Sequence, residues 1–457
     1  MSGYWVCKGA LEAPFSSLAV RRFRWAAATI AAFYFLRLAN ESPFLSSAVG
    51  LLDHQAVPSF AWQPLFAQHS PDWLIQRLLL LGAGLALTAA LSRWAALGAY
   101  GIAICTYRWN LPIVSIDDGM AHLLLFWLIL LPDGRGRAMA VRGVIPRLIQ
   151  ANLSLIYLVA GLTKWSSPMW REGAALYAVL MLPGSRVPEA VLDSCWLLLC
   201  VLTWIALLAE PALAALPWVG PKARRVLAIL GVLFHLGIAL TFDVPVANLA
   251  CLAIYILVLA PTPGPEPGPF PWSVTERFGL CVLVLLTAAM LGSALQPSWR
   301  DPETTLRPGK PNYPASGSSA VDEGGGPLQK SFYSCLWMLG LAQQYRLLDW
   351  IDQRNFNITV QTLDPELGVW SKPGPLPANL RLGLAMSYLT PVCWQRLPID
   401  PGHARRTGGP IGRRCSDQWA HLLGQGARVR VNVRRVHPST AGRHPLVFVL
   451  DLPEKDL

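Results

Sequence analysis

Charge is scarce in this sequence. Of its 457 residues, 14% are Asp, Glu, Lys or Arg, against about 25% in an ordinary soluble domain. The deficit sits in residues 25–295, where long apolar runs are broken by short polar clusters, while residues 296–457 resemble an ordinary soluble chain. Metal-site spacing is also missing: no CxxC pair or Cys/His cluster occurs among the nine cysteines, which excludes a zinc ribbon. Cys105, Cys195, Cys200, Cys251 and Cys281 lie inside apolar runs, where a thiol behaves as a small hydrophobe. No internal repeat of the kind found in many transporters is evident.

What the chain has is apolar surface. Hydrophobic residues make up 53%, with nineteen tryptophans, and indole favours the water–bilayer interface. The net charge of +11 is carried by basic residues that flank apolar runs, as membrane topology requires, so it does not point to nucleic acid. A spanning helix needs about 20 apolar residues, or fewer with interfacial help. Nine centres qualify: Trp25–Ala39, Leu74–Leu91, Ala95–Tyr107, Met120–Leu131, Leu148–Thr163, Ala190–Leu208, Val226–Phe242, Val246–Ala260 and Phe278–Leu295. The third and fourth are short enough, by length alone, to be re-entrant. The first contains Arg37; the 24 residues before it, with no clear cleavage site, favour an uncleaved helix over a signal peptide.

Charge bias orients these segments. Arg21, Arg22 and Arg24, then Arg93, then Arg135, Arg137, Arg142 and Arg147, then Lys222, Arg224 and Arg225 fall on one side if every segment crosses. Glu41, Asp53 and Asp72, then Arg108, Asp117 and Asp118, then a mixed segment with Lys164, Arg171, Glu172, Arg186 and Glu189, then Asp243 fall on the other. The positive-inside rule places the arginine-rich side in the cytoplasm. The N-terminus is then inside and the C-terminal part outside. Residues 261–272, PTPGPEPGPFPW, cannot be helical because repeated proline removes donors and restricts the preceding residues. Residues 301–327 are rich in Pro, Gly and Ser and read as linker. Beyond them, Phe332–Leu348 reads as an amphipathic helix, and Phe356–Leu363, Val429–Val436 and Leu446–Leu452 read as strands. Cys393 and Cys415, placed outside, are candidates for a disulfide. The expected architecture is an all-α polytopic membrane bundle of about nine transmembrane helices over residues 1–295, a linker over 296–330, and a small β-containing extracytoplasmic domain over 331–457.

Ionisable groups inside spans are costly and raise functional hypotheses. Asp117-Asp118-Gly119-Met120-Ala121-His122 enters the fourth span, Tyr157 to Gly173 leaves the fifth, and Phe234-His235-Leu236-Gly237 lies within the seventh. The deduced topology sets the first two at the outer ends of their helices and His235 about two turns from the outer end of its own. Lys164, His122 and His235 are therefore the candidate catalytic residues of one outward-opening pocket. A lysine at an apolar pocket mouth loses hydration, which favours the neutral amine, and a neutral amine serves as a general base. A nearby histidine orients a hydroxyl or stabilises an oxyanion. Each residue also has a plainer reading: a snorkelling lysine for Lys164, interhelical hydrogen bonds for the two histidines, and a helix cap or solvated loop edge for Asp117 and Asp118.

The run YLVAGLTKWSSPMWREGAALY, residues 157–177, resembles the lysine-containing segment of vitamin K-dependent gamma-carboxylases. It resembles still more closely that of the bacterial HTTM (horizontally transferred transmembrane domain) proteins. The stretch EPALAALPWVGPKARRVLAILGVLFHLGIAL, residues 210–240, is similar to the family's second hallmark: an acidic residue before a loop, then a span with Phe-His. The likeness covers roughly residues 20–295, with a weaker match at Leu341-Ala342-Gln343-Gln344-Tyr345-Arg346. It implies a bacterial plasma-membrane protein, a lysine base at Lys164, and a reduced quinone such as vitamin K hydroquinone as cofactor. The family's assisting histidine aligns with Gly119, and His122 lies about one helical turn further on. The expected partners are the bilayer and a lipophilic small molecule. Two function classes stay open: a carboxylase-like membrane enzyme, and a non-catalytic transporter or assembly factor.

Overall fold

The computed structural model describes residues 14–45, 72–107, 115–133, 140–182, 184–260, 272–295, 356–364, 367–372, 374–375, 429–435 and 446–452. A two-residue strand, β1 (Phe15–Ser16), leads into α1 (Ser17–Leu45), α2 (Asp72–Thr88), α3 (Arg93–Tyr107) and α4 (Ile116–Leu130). Then come β2 (Ala140–Val141), α5 (Val144–Ser166), three short helices α6 (Pro168–Arg171), α7 (Ala175–Leu180) and α8 (Glu189–Ser194), and four long ones: α9 (Trp196–Ala214), α10 (Pro221–Thr241), α11 (Pro245–Val258) and α12 (Val274–Leu295). Each apolar centre read from the sequence thus falls mostly within a helix. Three of these helices, α5, α9 and α10, are long and apolar enough to cross a membrane by length and composition.

Polar side chains tie the helix ends together and fix their directions. Arg24, fully buried in α1, donates to the carbonyls of Ala89, Ala90, Leu128, Leu131 and Pro132 at 2.5–3.3 Å. It thereby gathers the C-terminal ends of α2 and α4, whose last carbonyls have no partner within their own helix. β1 pairs with β2, bringing the starts of α1 and α5 to this same end. Gln150 donates to Leu257 O at the end of α11, and Arg142 pairs with Glu276 at the start of α12. Arg224, at the start of α10, reaches Val258 O. Arg24, Arg142, Arg147 and Arg224 therefore sit at one end of the bundle, as alternating helix directions require.

The opposite end is held by a second charged cluster. Arg37 pairs with Glu41 one turn on, with Asp243 in the α10–α11 turn, and at 3.9 Å with Asp117 at the start of α4. Asp117 also accepts from Ala247 N at 2.8 Å and so caps α11. Asp118 accepts from Ser115 N, closing a capping box, and from Tyr34 at 2.8 Å. The cap reading of this acidic pair describes its geometry.

The core lies between α1, α2, α4, α5 and α11, with Phe23, Phe35, Trp127, Leu153 and Ile254 fully buried. The outward faces of α9 and α10 are apolar over their length: Leu197, Leu208, Val226, Ile229, Leu233 and Leu240 are each more than 60% or close to it exposed. Such a continuous patch is rare on a monomer in water. Further along, β4 (Gly374–Pro375), β3 (Phe356–Thr362), β5 (Val429–Arg435) and β6 (Leu446–Leu452) form an antiparallel sheet in that order. The three longer strands fall on the segments read as strands from their β-branched content. The helix expected over 332–348, the linker and the Cys393–Cys415 pair lie outside the described residues.

Candidate functional site

Lys164 sits two residues from the end of α5 and is 2% exposed. Its Nζ lies 2.5 and 2.6 Å from the two carboxylate oxygens of Glu210 on α9, itself 3% exposed. The ring of Trp170 covers the amine at 5.1 Å, a cation–π distance. Local backbone chemistry makes this approach feasible. Gly161, one turn before Lys164, faces Pro211, and a Cβ there would come within 2.9 Å of the proline ring. Pro211 is tolerated inside α9 at the expense of one helical hydrogen bond. A small residue opposite a proline lets α5 and α9 close up just where lysine and glutamate meet.

Two turns earlier on the same face of α5 is Tyr157, and it belongs to a second polar network. Its hydroxyl lies 2.6 Å from His235 Nε2 on α10 and 2.9 Å from the Tyr255 hydroxyl on α11. His235 Nδ1 lies 2.8 Å from Asn248 Oδ1. Asn248 Nδ2 donates to Val244 O at 2.9 Å, which orients the amide so that its oxygen faces the imidazole. In a neutral imidazole Nδ1 then carries the proton and Nε2 accepts one. Tyr157 therefore donates to His235, and its oxygen accepts from Tyr255. Gly231 on α10 makes room for this, because a Cβ there would overlap the Tyr255 hydroxyl.

The two networks face one cavity of about 50 Å³. Glu210, Tyr157, His235 and Asn248 border it together with Met120, Phe234 and Cys251, and the surface they present to it is almost wholly apolar. A cavity that buries a drug-sized ligand usually measures about 300–1,000 Å³, so in this conformation the space suits only a small, mainly apolar group. Lys164 does not line it, but its partner Glu210 does. His122 does not line it either. It is fully buried on another face of α4, edge-on to Tyr100 of α3 at 6.3 Å. Met120 and Ile116 carry the α4 contribution to the cavity instead. The structure thus brings His235 to the cavity directly and Lys164 through its carboxylate, and sets His122 apart from both. Among the described residues, no group of three or more His, Cys, Asp or Glu is arranged to hold a metal ion. No family model, curated protein or solved structure matches this chain.

Asn248, Tyr255 and the pairing of Glu210 with Lys164 escaped the sequence reading. Polar residues inside apolar helices were the available signal for the first two. For Glu210 it was the acidic residue already noted at the start of the second motif. Outside the long helices, Tyr177 in α7 donates to Asp193 at 2.7 Å. Burial, then this acidic neighbour, pushes its hydroxyl up from the usual tyrosine range, so it remains a donor. The contact fastens the α6–α8 segment over the start of α9.

Proposed function

We propose that this chain is an integral membrane protein of the HTTM and gamma-carboxylase type, in which the Lys164–Glu210 pair acts as the base unit toward a lipophilic, quinone-like molecule. The observation that carries this reading is a charged pair, each partner under 4% exposed, beside a cavity that Glu210 helps to line. Burying two charges is costly, and a well-packed apolar pair at such a place is often no less stable. A role other than stability accounts for the pair. Glu210 is the end that meets the ligand, and Lys164 stores the balancing charge and the exchangeable proton. In this reading nine helices cross the bacterial plasma membrane, with the N-terminus cytoplasmic and the β-containing segment outside. The apolar outer faces of α9 and α10 support bilayer contact. His235 acts on the cavity, and His122 contributes through the packing of α4. The competing reading, a non-catalytic transporter or assembly factor, is favoured by the small volume of the cavity.

Ala160 lines the cavity, so Ala160→Leu fills it without touching a polar group. Mass spectrometry of small molecules extracted from purified wild-type protein should reveal a lipophilic compound that is depleted at least tenfold in Ala160→Leu. Identical extracts from both proteins contradict the proposal of a ligand in this cavity.

A further inference from the structure

We infer that Arg147 and Arg224 form a binding site for the phosphate of an anionic phospholipid, at the end of the bundle where α5 and α10 begin. The site rests on the membrane reading of the helices and is independent of base chemistry at Lys164. Both side chains are half-buried, and among the described residues neither meets a carboxylate. Arg147 Nη1 donates to Gln150 Oε1 at 3.0 Å, and the guanidinium lies over the Phe15 ring at 5.5 Å. Arg224 donates to the carbonyls of Val258, Pro217 and Val219 at 3.0–3.5 Å. These neutral contacts hold the two groups in place and leave both charges uncompensated, with Arg224 a repelling neighbour of Arg147. At the same end of the bundle, Arg24 and Arg142 have Asp133 and Glu276 as ion-pair partners.

Arg147 offers the donor pattern that an oxyanion needs. Nε–H and Nη2–H form the side of the guanidinium fork that grips phosphate with two parallel hydrogen bonds. In Arg147 neither nitrogen donates within the protein, and Nη2 is open to the surface while Nε is covered. Arg224 Nε is likewise without a partner. The local field adds to this. Both α5 and α10 start on a glycine, Gly143 and Gly220, with no side-chain cap and no acidic residue in the first turn. Their terminal N–H groups therefore contribute further positive charge. By contrast α12, which starts at the same end, is capped by Glu276. An apolar face continues from the site, as a lipid requires and a free anion does not. Arg147 heads a stripe of α5 that runs at helical spacing through Ala151, Ser154, Leu158 and Leu162. Leu158 and Leu162 are 39% and 42% exposed. Trp218 donates to Ser154 on this stripe at 2.8 Å, and indole favours the headgroup interface. Basic pockets between helices on the cytoplasmic side suit anionic headgroups.

The test reconstitutes the full-length protein into nanodiscs of mixed phosphatidylglycerol and phosphatidylcholine and counts the lipids it retains by native mass spectrometry. Relative to the surrounding bilayer, wild type should retain phosphatidylglycerol over phosphatidylcholine by about fivefold or more. Arg147→Gln should bring the ratio back to that of the bilayer. Arg225→Gln removes an exposed charge next to Arg224 in sequence and should leave the ratio unchanged. Equal retention of the two lipids by wild type overturns the site whether or not any variant folds. Equal losses in Arg147→Gln and Arg225→Gln, the mark of diffuse surface charge, overturn it too. Millimolar inorganic phosphate should leave the lipid in place; complete displacement would assign the site to free phosphate and overturn the lipid. Protein that does not enter nanodiscs at all overturns the membrane reading and this inference together.

Discussion

Glu210→Ala is expected to destabilise the folded protein by about 3–5 kcal/mol, because it leaves the Lys164 ammonium buried without its carboxylate. Lys164 is 2% exposed, so water cannot replace the lost partner without opening the α5–α9 contact. Lys164→Met should cost a similar amount by orphaning Glu210. The double variant Lys164→Met/Glu210→Met should return to within about 1 kcal/mol of wild type, since paired removal also removes the desolvation penalty. Thermal or denaturant unfolding in detergent, run as a double-mutant cycle, measures this directly. Additive losses would mean that the two side chains stabilise the bundle independently, contrary to the geometry.

Arg24→Ala carries the other large expected effect. One guanidinium serves five carbonyls at the ends of α2 and α4, in a fully buried position. Each hydrogen bond to a charged donor is worth about 1.5–3 kcal/mol, and orphaned buried carbonyls add their own penalty. A loss of at least about 4 kcal/mol follows. Arg24→Lys should restore only part of it, because an ammonium offers three donors from a point rather than five in a planar fork. The same unfolding measurement decides. A change below about 1 kcal/mol for Arg24→Ala would show that those carbonyls find other partners.

The helices and their alternation were legible because hydropathy and charge report them locally. Arg24 was counted only as one of a basic trio at a helix start, yet its role is to cap two helices from elsewhere in the chain. Arg37 was visible as an oddity in an apolar run. Its partners Asp117 and Asp243 were visible as loop charges, but their meeting is a tertiary event that no window of sequence contains. The same holds for the site. Lys164 and His235 stood out because ionisable groups in apolar helices are costly. The partner of Lys164 lies 46 residues away, and that of His235 lies across a helical hairpin. His122 shows the limit of periodicity reasoning: being one turn from an aligned position does not choose which neighbouring helix a side chain meets. On α4 it meets Tyr100, while Met120 turns to the cavity.

The central claim is that the buried pair acts on a proton rather than holding the fold. Lys164→Arg separates the two roles. A guanidinium fits a carboxylate in the bidentate geometry Glu210 already adopts, so the variant should fold and accumulate in membranes as wild type does. It stays protonated, so it cannot yield the proton balance a base unit needs. The measurement is complementation of a null strain, or turnover once the copurifying ligand is identified, at matched membrane abundance. The expected result is that Lys164→Arg loses at least a hundredfold, matching Lys164→Met, since general-base catalysis contributes about 10²–10⁴. Full activity of Lys164→Arg would contradict the account and leave the pair as a structural clasp.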